Sequence, residues 1–577
     1  MMTVLKNVIT KKRAIVSIVC ILTWMFVLMI SSVHYTTCDD THLNLIAAGA
    51  YGPESQYLIH INILLGFFLK GLYYLLPGIN CYLWFFLVAN LIGIIAMTLV
   101  FTEHLNLPGS VSVAIIIVML FSYDLIEDIQ YTKNAAWYGI IGGLLFLYNS
   151  LRDKRARSLD AAVVIFVALS FMVRPHSAAL TLPFLGIAVL VVFLKDKKRN
   201  MLPAIAVVMI AVITVLAINH IAYTRQQDWR DYVTWNRIST QMRDFGRYSF
   251  EDNKEKLLEA GITETDYLLL SNNIFADPEG LSVDKMKQIE SVGKANESFV
   301  EFFSINTFLH SLDFVHETLR TRPLASICAV IMLLIVLGGS GREILTALLF
   351  VLVMLMEYHY FTHLNRVMWR AEFATWITPC TLLFMLLLNK LNVDRLKKSE
   401  EAGDDNVTKR LRIVMPAVVI ALLLMSSLYK VTNNNNSEEA PNTTVTDIIN
   451  EDSEHFYLAG FGHYWNGLCG ADDIFSIDRN MAGYYHNICL LGTWQIPSPI
   501  GLYYARTHGI ENPIRQLVDD DVYFIGTGEE VGWLMEYLNE KNELEVFVAQ
   551  VETIEDVAVW DFFEGVWIDG KMQRVSP

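Results

Sequence analysis

Thr37-Cys38-Asp39-Asp40-Thr41-His42 follows an apolar run, Ala14 to Val33, that is long enough to cross a bilayer. Acidic residues set beside a membrane are costly to keep there and usually serve binding or catalysis. Read alone, an Asp-Asp pair is equally a solvated loop, so the rest of the chain has to decide. Lys11-Lys12-Arg13 precede the run. The positive-inside rule therefore puts the N-terminus in the cytoplasm and Asp39 and Asp40 outside. No small-residue cleavage site stands out, so the run reads as a span and not as a cleavable signal.

The 577 residues are 53% hydrophobic and only 18% charged, with a mean hydropathy of +0.37. A soluble protein of this length is less apolar, and the composition predicts a polytopic membrane protein carrying some polar mass. The net charge is -16, and from Val431 onward there are 25 Asp and Glu against 6 Lys and Arg. Nothing here offers a basic face to phosphate backbones, which argues against nucleic acid as a partner. The seven cysteines show no metal-ligand spacing. Cys469 and Cys489 either pair in an oxidising compartment or stay free thiols.

Further apolar runs start near Cys81, Ser110, Asn134, Leu159, Ser177, Met201, Leu324, Ile344, Phe373 and Ile413. The segment Tyr57 to Leu76 is apolar but carries His60, Asn62 and Lys70. Charge parity decides its place. If it lies on the membrane surface, the clusters Arg152–Arg157 and Lys195–Arg199, Arg342 and the Lys390–Arg412 loop all fall inside. If it crosses, all of them flip outside. The expectation is therefore a surface helix at 57–76 within a first external loop, 34–80, and about eleven transmembrane helices in a module spanning 1–430. A large external loop occupies 223–322. A polar linker, 431–442, contains four consecutive asparagines and reads as flexible. It leads to an extracytoplasmic α/β domain, 443–577, with strands at His455–Gly460, Asp521–Ile525, Leu544–Val551 and Val557–Phe563 and a helix at Glu529–Asn542.

This topology gathers the unusual polar residues on the outer side. They are Asp39 and Asp40, then Asp124, Glu127, Asp128 and Lys133, then Arg174-Pro175-His176, and the connection that carries His359, His363, Arg366 and Arg370. Each has an ordinary reading beside the functional one. Arg174-Pro175 also ends a helix with a snorkelling arginine, and the histidines, His60 included, also suit the interface. Asp124, Glu127 and Asp128 read as a solvated loop, and Trp494 and Ser498-Pro499 as packing and turn residues. Arg366 and Arg370 sit four apart on a helix face and violate the positive-inside bias, which favours function.

The acidic pair, the following Asn44-Leu45-Ile46-Ala47-Ala48-Gly49-Ala50-Tyr51-Gly52-Pro53 and the apolar surface segment together resemble the GT-C superfamily of integral-membrane glycosyltransferases. The layout extends over roughly the whole chain, and its specific part over about forty residues. Several members have Asp-Glu where this chain has Asp-Asp, and the layout is similar to that of poorly characterised bacterial members. The resemblance implies transfer of a sugar, a hexosyl or pentosyl group with inversion, from a polyprenyl-phosphate donor to a cell-surface glycan, teichoic acid, lipid or protein. It implies a base at Asp39, with Asp40 orienting the acceptor or tuning its neighbour. Donor-phosphate contacts would come from Lys133, Arg174, Arg366 and Arg370, with His176, His359 and His363 as weaker candidates. A divalent metal bridging Asp39 or Asp40 to the phosphate and a metal-free route are equally compatible.

Two other classes compete. A transporter or flippase for a lipid-linked substrate would show paired repeats and polar residues near mid-membrane. A non-catalytic envelope assembly protein would depend on the tail and tolerate neutralisation of Asp39.

Overall fold

The computed structural model describes residues 2–152, 154–196, 201–245, 248–293, 304–400, 445, 448–449, 451–460, 474–477, 487–492, 494–554, 557–568 and 571–575. The apolar run near Ile413, the linker 431–442 and Cys469 lie outside them.

Ten of the eleven expected runs are helices among the described residues. They are α1 (Met2–Ile30), α4 (Cys81–Phe101), α5 (Leu107–Ser122), α6 (Tyr131–Leu151), α7 (Arg157–Val173), α8 (Pro175–Asp196), α9 (Met201–Arg225), α15 (Pro323–Gly338), α16 (Gly341–His363) and α17 (Trp369–Glu400). Six of the described helices are long and apolar enough to cross a membrane alone. The pair α14 (Ile305–Thr321) and α15 is apolar enough only when taken together, and a bend of 101° between them makes it a broken span or a re-entrant loop. The chain is a multi-pass membrane protein.

Helix α6 is the pivot of the bundle. Eighteen of its 21 residues are buried, a pattern that needs neighbours on every side. Small residues make this possible: a Cβ on Gly142 would stand 2.6 Å from Val167 Cγ2 of α7, and one on Gly93 of α4 would meet the Trp137 indole at 2.5 Å. Gly143 likewise touches Leu185 of α8.

Between α1 and α4 run α2 (Cys38–Ala48) and α3 (Ile63–Leu75). Gly49 closes α2 in the left-handed region, φ 90°, and its N–H reaches back to Leu45 and Ile46 carbonyls. The expected surface helix at 57–76 is shorter than its apolar content suggested. Asn62 caps α3 by accepting from Leu64 N–H at 3.0 Å, and Ile59 holds a positive φ of 63°. Tyr57 to Asn62 is therefore an irregular stretch. It is tied down by Tyr223 (Ile59 N–H to the hydroxyl, 2.7 Å), by Met172 (Asn62 N–H to the carbonyl, 2.7 Å) and by the Val215 carbonyl (Asn62 Nδ2, 2.8 Å).

The described residues of the loop 223–322 are largely helical: α10 (Gln227–Phe245), α11 (Phe250–Glu259), α12 (Glu264–Ser271), α13 (Val283–Gly293) and α14. A short parallel pair, β1 (His34–Tyr35) with β2 (Asp128–Ile129), joins the end of α1 to the end of α5. In the C-terminal domain, β3 (Phe456–Ala459), β4 (Ile488–Leu490), β5 (Val522–Ile525), β6 (Glu545–Ile554), β7 (Val557–Ile568) and β8 (Lys571–Arg574) form one mixed sheet. Its order is β4-β3-β5-β7-β6, parallel from β4 to β5 and antiparallel beyond, with β8 also on β7. Helices α18 (Pro499–Thr507) and α19 (Gly528–Lys541) complete the domain.

Candidate active site

Asp39 and Asp40 occupy the first turn of α2, where the unpaired N–H groups favour negative charge. Consecutive residues on a helix point about 100° apart, so the two carboxyls enter different surroundings. Asp40 is fully buried. Its Oδ1 accepts from the Tyr82 hydroxyl at 2.8 Å and from Tyr131 N–H at 3.0 Å. Burial, reinforced by the neighbouring Asp39 charge, pushes its pKa up to about 8. At neutral pH this group holds its proton.

Asp39 keeps about a fifth of its side chain exposed. Its Oδ1 accepts from the Trp494 indole N–H at 2.7 Å, and its Oδ2 lies 3.8 Å from Arg370 Nη1. Burial opposes ionisation here too. The Arg370 guanidinium, the Trp494 N–H and the Arg174 guanidinium outweigh it, and the pKa falls below the usual carboxylate range. Two adjacent aspartates are thus split into an anion and a neutral acid.

The cations come from three parts of the chain. Arg174 sits at the junction of α7 and α8, over the Tyr131 ring at 5.4 Å. Arg370 begins α17, whose first turn is anchored on both sides. Trp369 Nε1 donates to Asp124 Oδ1 at 2.7 Å, and Glu372 accepts from Thr318 and Tyr358 at 2.6 and 2.5 Å. Arg243, on the last turn of α10, brings a third positive charge that acts on Asp39 and His60. His60 lies parallel to Tyr131 at 6.1 Å and edge-on to Trp494 at 4.7 Å. Burial and the Arg174 charge lower its pKa to about 3. His42, also lowered to about 3 by burial, pairs with the Tyr51 hydroxyl at 3.0 Å. Both imidazoles are neutral at physiological pH.

The structure brings Asp39, Arg174 and Arg370 together and sets other sequence candidates elsewhere. Lys133 is fully buried and bound to Asp128 at 2.8 Å and Asp124 at 3.4 Å. It neutralises those two carboxylates and does not offer its ammonium to a phosphate. By the same contacts Asp124 and Asp128 are buried ion-pair partners, where a solvated loop was expected. Glu127 accepts from Ser31 at 2.9 Å. Arg366 is held by Asp244 of α10 at 2.7 Å. His176 is exposed in the first turn of α8, His359 packs against Phe308 at 6.3 Å, and His363 lies in the last turn of α16. Among the described residues, no three His, Cys, Asp or Glu side chains converge to hold a metal, and the neighbours of Asp39 are chiefly guanidinium groups. That set of charges suits an anion.

Trp494, expected to be a packing residue, comes from the C-terminal domain between β4 and α18. Its carbonyl accepts from the Tyr232 hydroxyl of α10 at 2.8 Å. Ser498 does behave as a turn residue, capping α18 by accepting from Gly501 N–H at 3.3 Å. The sequence signal for Arg243 was the Arg-, Trp- and Tyr-rich opening of the outer loop. For Trp494 no local signal exists.

Neither a family model nor a curated protein matches the sequence. Among solved structures, ArnT from Cupriavidus metallidurans bound to undecaprenyl phosphate is similar at 10% identity, over 95% of this chain and 97% of that one, with a TM-score of 0.48. The archaeal oligosaccharyltransferase AglB from Archaeoglobus fulgidus, in complex with an inhibitory peptide and a dolichol-phosphate, is similar at 11% identity, over 94% of this chain and 69% of that one, with a TM-score of 0.40.

Proposed function

We propose that this protein is a membrane glycosyltransferase that moves a sugar from a polyprenyl-phosphate donor to an acceptor hydroxyl on the outer face of the membrane. The observation that carries the reading is the Asp39 carboxylate 3.8 Å from Arg370, in a field to which the Arg174 and Arg243 charges also contribute. In this mechanism Asp39 takes the proton of the acceptor hydroxyl while that oxygen attacks the anomeric carbon. The bond from the anomeric carbon to the donor's phosphate oxygen breaks, and the lipid phosphate leaves with the electron pair. Arg370, Arg174 and Arg243 stabilise the charge that grows on it, because guanidinium groups bind phosphate oxygens in pairs. Neutral Asp40 keeps a second negative charge away from the leaving group and holds the start of α2 in place. The N-terminus is then cytoplasmic and the C-terminal domain extracytoplasmic, as the basic loops require.

The test is sugar transfer by the purified protein in nanodiscs, from a panel of radiolabelled undecaprenyl-phosphate sugars to cell-envelope extract. Transfer that disappears in Asp39→Asn, with thermal unfolding unchanged, supports the mechanism. Equal transfer by wild type and variant would end it.

A further inference from the structure

We propose that Trp494 is a positioning residue through which the docked C-terminal domain holds the Asp39 carboxylate in its working orientation, so that the site is complete only when that domain is in place. The catalytic meaning of this inference rests on the reading of Asp39 as the base.

The indole N–H donates to Asp39 Oδ1 at 2.7 Å, across 455 residues of chain. The ring is edge-on to His60 at 4.7 Å and to His42 at 6.1 Å, so imidazoles from the first loop fix its tilt. The Tyr232 hydroxyl holds its carbonyl from α10. Tyr232 is itself edge-on to Trp229, which stacks on Tyr57 at 4.4 Å. Trp494 is thus held by the outer loop and the first loop together, and it hands one hydrogen bond to the carboxylate.

That bond is directional where Arg370, at 3.8 Å, is not. A carboxylate turns about its Cβ–Cγ bond, and a donor fixed on Oδ1 sets the plane in which Oδ2 and the remaining lone pairs face the acceptor. A hydrogen bond to the charged form also favours that form. Several contacts fasten the domain that carries Trp494. Phe275 N–H reaches the Leu491 carbonyl at 2.9 Å, and Asn80 Nδ2 reaches the Ile474 carbonyl at 2.7 Å. Asn80 also donates to the Tyr35 hydroxyl at 2.9 Å, a few residues before Asp39.

The experiment uses the full chain in nanodiscs and compares wild type with Trp494→Phe, which keeps the ring and deletes the N–H. A water-soluble carbodiimide labels protonated carboxyls, and residue-level mass spectrometry follows Asp39 labelling against pH without needing turnover. Loss of one hydrogen bond to a charged group predicts an upward shift of the labelling midpoint by about one to two pH units. In the transfer assay kcat falls roughly tenfold to hundredfold with little change in KM, and the acid limb of the pH profile moves up with the labelling midpoint. An unmoved midpoint in a folded variant overturns the proposal, as does a rise in KM alone. Should Trp494→Phe lose its cooperative melt, Tyr232→Phe releases the Trp494 carbonyl and is expected to move the midpoint in the same direction. No shift there overturns the proposal equally. A midpoint shifted in Trp494→Phe, with a wild type that transfers nothing, would keep the positioning role and sink the transferase reading. Transfer with an unmoved midpoint would do the reverse.

Discussion

Asp39 and Asp40 share a backbone turn and titrate in opposite directions, because one faces guanidiniums and the other a tyrosine-lined interior. For Asp40 the folded pKa lies above the unfolded one, so the folded chain holds the proton more tightly. The contribution of Asp40 to stability is then fully present at low pH and is lost as pH rises from the ordinary carboxylate range toward about 8. Asp40→Asn keeps an amide oxygen for Tyr82 and Tyr131 and removes the titration. We expect it to flatten this slope, which is on the order of 1.4 kcal/mol per pH unit, and to raise the melting temperature at pH 8 relative to wild type. Asp39 has the reverse sign: its anion persists above a lowered pKa, and activity is lost as pH falls through it. Arg370→Gln removes a neighbouring charge and is expected to move that acid limb upward and reduce kcat at neutral pH, read from pH–rate profiles. The acidic pair and Arg370 were legible in the sequence as residue types in a suggestive order. Which aspartate ionises was not, since that depends on Tyr82, Tyr131 and Trp494, brought in by other helices and another domain.

At the level of elements, α6 and the turn before it form the rigid seat of the site. The last turn of α5 continues as a five-residue π-type turn, Tyr123–Glu127, which delivers Asp124 and Asp128 to Lys133 on the first turn of α6. A lysine at a helix N-terminus opposes the helix dipole, and here the two carboxylates offset that cost. Lys133→Met leaves both carboxylates buried without a cation and is expected to destabilise the fold by about 3–5 kcal/mol, measured by thermal or chemical unfolding. Asp124 also holds Trp369, so the same variant should loosen Arg370 and lower transfer beyond what the melt explains. The helices themselves were readable: runs of apolar residues predicted ten of those described, and strand alternation in the tail predicted β3, β5, β6 and β7 within a few residues. The first loop was read as one surface helix because its apolar content runs on through Tyr57–Asn62. The Asn62 cap and the left-handed Ile59 break it and carry His60 to the site.

At the scale of the whole molecule, the loop 223–322 grips the described part of the C-terminal domain. Asp277 is fully buried between α12 and α13. It accepts from Arg515 at 2.7 Å, Asn512 at 2.9 Å and the Tyr537 hydroxyl at 2.8 Å. Burial works against its ionisation, and these donors outweigh it and lower its pKa. The clamp's stability is therefore present above the ordinary carboxylate range and is lost as pH falls through the folded value. Asp277→Ala strands Arg515 and is expected to cost about 3–5 kcal/mol. Limited proteolysis should then release the C-terminal domain, and sugar transfer should fall even though Asp277 touches no substrate. None of this clamp was visible in sequence, where Asp277, Asn512, Arg515 and Tyr537 are ordinary polar residues in four separate segments.

The 455-residue separation between Asp39 and Trp494 also sets a timetable. The aspartate leaves the ribosome long before its indole partner, which arrives only after the described helices of the bundle have been made. On the proposed reading, a nascent chain lacks the hydrogen bond that orients Asp39 until residue 494 has been made and its domain has docked. A message cut short before residue 494 is therefore expected to yield an inserted protein that transfers lipid-linked sugar at least as slowly as Trp494→Phe.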